Sequence, residues 1–144
     1  MAGRRVAVGG TLFLDSEGLS KLAAGDARAR AYFDTARARR ARVVVSAVTL
    51  TEVLRGGSRD ASVHRVLSRI VVAPVTPELG RAAGELLGAM GLSGYRCAID
   101  AIVAVTALES ARPVVLLTSD PDDMNRLVEE SGCAKDQRVV VIPV

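Results

Sequence analysis

Short apolar runs alternate along the chain with longer stretches of helical period. Leu12-Phe13-Leu14 is a compact apolar run ended by Asp15, and predicts a strand running into a helix. Val43-Val44-Val45 is β-branched throughout, the pattern of a buried strand. Ile70-Val71-Val72, Val114 to Leu117 and Val139 to Ile142 predict three more strands. Between them, Asp26 caps a helix through Arg28 to Arg40, and Ser46 opens one over Ala47 to Arg55, closed by Gly56-Gly57. A further helix covers Ala61 to Arg69. Thr76-Pro77-Glu78 starts another, which carries apolar residues at helical spacing from Leu79 to Met90 and stops at Gly91. Ala98 to Ser110 predicts a helix, and Pro121 begins the last one, to about Glu130. Strands alternating with helices predict an α/β fold: a mostly parallel central sheet flanked by helices.

A chain of 144 residues is one domain's worth. Residues 1–10 read as a flexible leader and residues 11–144 as a single domain. Aromatic residues are only 3% of the chain, which argues against modules that stack bases on aromatic platforms. Cys97 and Cys133 are too few for a disulfide framework and lack zinc-site spacing. The lone His64 excludes chemistry that needs two imidazoles. No apolar stretch is long enough to span a membrane, and no signal peptide is evident, so a cytoplasmic protein is expected. The net charge is +3, and all cations but Lys21 and Lys135 are arginines. Arg28, Arg30, Arg37, Arg39, Arg40 and Arg42 face one acid, Asp34, in a strip that suits either a phosphate backbone or a solvated helix face.

Four acids change the picture. Asp15 and Asp120 each follow an apolar strand, so a parallel sheet brings them to the same edge, where α/β folds bind ligands. Each alone also reads as a helix cap. Asp100 lies among Ala98, Ile99, Ala101, Ile102 and Val103, and is predicted to be substantially buried; it needs a partner, for which Arg96 is one choice and a cation another. Glu52 is the only charge before Arg55 in a mostly apolar helix, and alone would read as a partner of Arg55. Converging carboxylates repel, so the four together imply a cation. Oxygen-only ligands suit Mg²⁺ or Mn²⁺. With a basic chain, a phosphodiester is the matching substrate.

Leu12-Phe13-Leu14-Asp15-Ser16, Ser46 to Val53 with Glu52, Ile99-Asp100-Ala101-Ile102-Val103-Ala104 and Leu117-Thr118-Ser119-Asp120-Pro121-Asp122-Asp123 stand in the order and spacing of four motifs. In these stretches the chain resembles PIN-domain proteins, of the kind that form the toxin of VapBC toxin–antitoxin pairs. The resemblance implies a three-layer α/β/α sandwich and a metal-dependent endoribonuclease, in which Mg²⁺ activates a water for in-line attack on RNA. It assigns metal binding and catalysis to Asp15, Glu52, Asp100 and Asp120, with Asp123 as an outer member of the metal site. It further suggests Thr118 or Ser119 for a metal water, and Arg55 and Arg96 for holding the phosphate. An antitoxin partner and a homodimer also follow from the resemblance. The leader before the first strand, Glu17 and Met124 depart from the family's usual pattern without removing a proposed ligand. The alternative is a PIN-like module that binds RNA or protein without cutting. A phospho-acceptor domain ranks behind both, because no lysine lies between Lys21 and Lys135.

Overall fold

A computed structural model describes residues 9–129 and 138–144. Eight residues of the predicted leader, together with Glu130, Cys133 and Lys135, lie outside the described residues. Five strands, β1 (Thr11–Leu14), β2 (Arg42–Ser46), β3 (Val71–Ala73), β4 (Val114–Thr118) and β5 (Val139–Pro143), form one sheet in the order β3-β2-β1-β4-β5. Every pairing is parallel. The strands read from the sequence are therefore all present, each within a residue or so of its expected bounds.

Seven helices among the described residues connect them: α1 (Ser16–Ala23), α2 (Ala27–Ala38), α3 (Leu50–Val53), α4 (Ala61–Leu67), α5 (Pro77–Met90), α6 (Gly94–Leu108) and α7 (Pro121–Leu127). Alternation along the strands sends side chains to opposite faces. Leu12, Leu14, Val43 and Val45 pack with Leu19, Leu22 and Phe33 of α1 and α2. Phe13, Val44 and Leu116 pack with Val103, Ala104 and Ala107 of α6 and with Met124 of α7. A third cluster joins α5 to α6 through Leu79, Leu87, Ala101 and Val105. The result is a three-layer α/β/α sandwich. Among the described residues no single helix is long and apolar enough to cross a membrane.

Capping explains most helix bounds. Asp26 accepts from the Ala29 amide at 2.9 Å, and Thr76 from the Leu79 amide at 3.1 Å, ahead of Pro77. Gly91 closes α5 in a left-handed conformation, φ 65°. Five expectations need correction. The helix expected over Ala47 to Arg55 is a 3-10 turn, Ala47–Thr49, followed by the single turn α3; Leu54 leaves it in an extended conformation. The helix expected from Ala98 starts at Gly94, since Gly94 to Cys97 carry no breaker strong enough to delay it. The helices expected to Arg40 and Arg69 end at Ala38 and Leu67. α7 ends at Leu127, short of Glu130.

Candidate metal centre at the carboxyl edge of the sheet

The strand order reverses direction at β1, between β2 and β4, and a crevice opens at the carboxyl ends of such neighbours. Asp15 sits directly after β1 in that crevice. Its amide donates to the Leu117 carbonyl of β4 at 3.2 Å, and its Oδ1 accepts from the Gly18 amide at 2.8 Å as the N-cap of α1. The capping and ligand readings of Asp15 are thus compatible, because a carboxylate has further lone pairs. A Cβ on Gly18 would lie 3.0 Å from the Leu117 carbonyl oxygen and 3.5 Å from Asp15 Oδ1. Glycine is what lets α1 start this close to β4.

Asp120 occupies the N-cap position of α7 without making a side-chain cap bond. Its amide instead donates to Thr118 Oγ1 at 3.0 Å, so the loop is fixed by the buried threonine and the carboxylate is left exposed. Glu52 lies on α3 and Asp100 on α6; both are exposed. Asp100 is therefore not buried as the flanking Ala, Ile and Val predicted. Gly94 to Arg96 and Asp100 stand in the exposed N-terminal half of α6, while Val103 to Ala107 are buried, so burial rises along the axis. Asp100 and Asp123 line one small cavity with Cys97 and Arg126.

Three carboxyls are pushed above the ordinary carboxylate range. For Asp15 the main cause is burial, opposed by bonds from the Gly18 amide and the Thr118 hydroxyl. For Glu52 it is water displaced from the carboxylate, followed by the charges of Asp100 and Asp15, with the Ser16 hydroxyl pulling the other way. For Asp100 displaced water again leads, followed by Asp120, Asp15 and Asp123. Glu52 and Asp100 open on solvent, yet the crevice walls still thin the water around them. All five predicted ligands thus enter one web of mutual repulsion, and among the described residues no cation relieves the three raised groups.

The predicted arginines behave differently. The Arg55 guanidinium donates to the Thr51 and Leu54 carbonyls at 3.0 and 2.8 Å, closing the C-terminus of α3. It is no partner of Glu52. Arg96 is exposed one helical turn before Asp100 and forms no ion pair with it among the described residues.

Two contributors went unread in the sequence. Asp60 is 6% exposed, and its Oδ2 accepts from the Arg55 and Gly56 amides at 2.9 and 2.7 Å. These bonds hold its carboxyl below the ordinary range and pin the loop that follows Glu52. Its spacing to that loop resembles no cap signature. Ser16, beside the first acid, was the available signal for the hydroxyl near Glu52.

As the side chains stand, no group of three or more His, Cys, Asp or Glu among the described residues is placed to hold a metal ion directly. The donor set still suits one class of ion. Mg²⁺ keeps several waters and is held through one or two carboxylates. Acids gathered within electrostatic rather than bonding range match a hydrated ion of that kind.

A family model described as PIN domain matches residues 12–129. No curated protein sequence matches the chain. Among solved structures, the chain resembles one in the crystal structure of VapBC2 from Rickettsia felis bound to a DNA fragment from their promoter. The TM-score is 0.65 at 16% identity, over 93% of this chain and 98% of that one. With its four acidic motifs all inside the matched span, and the sandwich those motifs implied in place, the chain belongs to the PIN domain family.

Proposed function

We propose that the protein is a Mg²⁺-dependent endoribonuclease, the toxin of a type II toxin–antitoxin pair, acting in the cytoplasm. Mn²⁺ is the expected substitute ion. The observation that carries the reading is the carboxylate web: Asp15, Glu52 and Asp100, from three different elements, are raised together, with Asp120 and Asp123 adding to the repulsion. A fold without a cationic ligand gains nothing from converging these charges.

Asp15, Glu52, Asp100 and Asp120 are the groups that would hold the ion, with Asp123 outside them. The bound ion supplies Lewis acidity toward a phosphate oxygen and an acidified water. The chain's own contribution is placement. Gly18 and Thr118 orient Asp15, Ser16 steadies Glu52, and Thr118 fixes the backbone at Asp120. Arg96, exposed one turn from Asp100, is the cation best placed to meet a phosphate. Arg55 already serves two carbonyls and would have to release them. The sandwich shared with a chain of a VapBC complex supports an antitoxin partner, and a homodimer fits the same reading.

Calorimetric titration of the protein with Mg²⁺ and Mn²⁺, wild type beside Asp100→Asn, tests the reading. Saturable binding that weakens at least about tenfold in the variant, with loss of RNA cleavage and an intact fold, is expected. Equal cleavage by the two proteins would overturn it. Retained RNA binding without cleavage by the wild type would establish the non-catalytic alternative.

A further inference from the structure

A second charged site lies away from the carboxylates. The end of α1, the start of α2 and one face of α4 border an open cavity of about 140 Å³, whose lining includes Leu22, Phe33, Ser62, Arg30, Arg65 and Arg69. No acid lines it. Phe33 is buried beneath it, and the Arg69 guanidinium stands 5.3 Å from the ring centroid. Arg37 approaches the same ring at 5.6 Å. Stacking on an aromatic uses the flat face of a guanidinium and leaves its in-plane N–H donors free. Among the described residues, the side chains of Arg30 and Arg65 make no hydrogen bond or ion pair, and that of Arg69 has only the ring. All three arginines are exposed to solvent at this cavity, so their free N–H donors are open to an anion arriving from outside.

The shape of the anion follows from the donors. A carboxylate offers two oxygens in one plane, which one or two guanidinium forks satisfy. A phosphate monoester offers three terminal oxygens and a charge of about −1.5 to −2 at neutral pH. The cavity is well below the roughly 300–1,000 Å³ of sites for whole small molecules, so it suits a single such group. It lies at the far end of α1 from Asp15, about 10 Å along the helix axis at 1.5 Å per residue, and so is separate from the metal centre.

We infer that Arg30, Arg65 and Arg69 form a binding site for a phosphate monoester, the terminal phosphate of an RNA strand or of a free nucleotide. The choice of RNA rests on the nuclease reading; the site itself does not.

The test is fluorescence anisotropy in EDTA with an internally labelled short RNA bearing a 5′-phosphate, a 3′-phosphate or neither. One phosphorylated form binds roughly tenfold or more tightly than the unphosphorylated strand, the size of one good charge-assisted contact. Arg65→Gln/Arg69→Gln removes that preference and leaves the unphosphorylated strand's affinity unchanged; Arg30→Gln serves the same purpose should the double variant not fold. Inorganic phosphate competes for the site. Adenosine 5′-monophosphate binding as tightly as the strand identifies a free nucleotide as the ligand. No preference in the wild type, a preference that survives the variants, or displacement by hexaglutamate as readily as by phosphate overturns the inference. Cleavage is read separately. A protein that cleaves without any preference sinks this inference alone, and one that keeps the preference but never cleaves sinks the nuclease reading alone.

Discussion

Asp15, Glu52 and Asp100 bind their protons more tightly in the folded chain than in the unfolded one. Their charged forms therefore cost stability, and that cost is fully present above the raised pKa values. As pH falls through those values toward the ordinary 3.8 of Asp and 4.5 of Glu, the folded state takes up protons first and stability rises. Asp60 acts in the opposite sense. Its carboxyl is lowered, so its contribution holds above 3.8 and is lost as pH falls through the folded-state value. Above 3.8 only the first group matters, and thermal melts in EDTA should show the melting temperature rising as neutral solution is acidified toward the ordinary carboxylate values. Asp100→Asn should start higher at neutral pH and respond less. The gain is expected to stay below about 1 kcal/mol, because Asp100 is open to screening water. A melting temperature that falls over this range would show that the carboxylates do not repel.

At the level of elements, α1 depends on its first turn. Asp15 caps it, and Gly18 lets it close against Leu117. Gly18→Ala must push α1 from β4, since backbone rather than a flexible side chain stands in the way. A loss of about 1–3 kcal/mol is expected, the cost of crowding a packed site, measured by urea denaturation. Unchanged stability would mean that α1 shifts freely on the sheet. The elements themselves were largely legible, because β-branched runs and caps such as Asp26 and Thr76 act locally. The end of α3 was not. Leu54 leaves the helix where Asp60 draws in the amides of Arg55 and Gly56, a pull from outside the periodic segment. The exposure of Asp100 was illegible for a related reason: α6 passes from solvent into the core along its length, and flanking composition reports the average. The order of the acids was readable; their distances, and the release of Asp120 from capping, needed the loop at Thr118.

For the whole molecule, a ligand that binds only the folded state adds RT ln(1 + [L]/Kd) to stability. At a Mg²⁺ concentration about tenfold above Kd, that is about 1.4 kcal/mol, or roughly 3–6 °C for a domain of this size. Differential scanning calorimetry should show this rise in the wild type and little of it in Asp100→Asn; an equal rise in both would place the ion elsewhere. The sheet also imposes an order in time. Its central pairing joins Thr11 to Val114 and Leu14 to Leu117, segments from opposite ends of the chain. At about 5–20 residues per second of synthesis, on the order of 5–20 s separate the emergence of Asp15 from that of Asp120. Until the end of that interval Asp15 lacks its β4 neighbour Leu117, and Asp100 lacks Asp120. The carboxylate site is therefore among the last parts of the molecule to be completed, and a chain cut short before β4 never forms it.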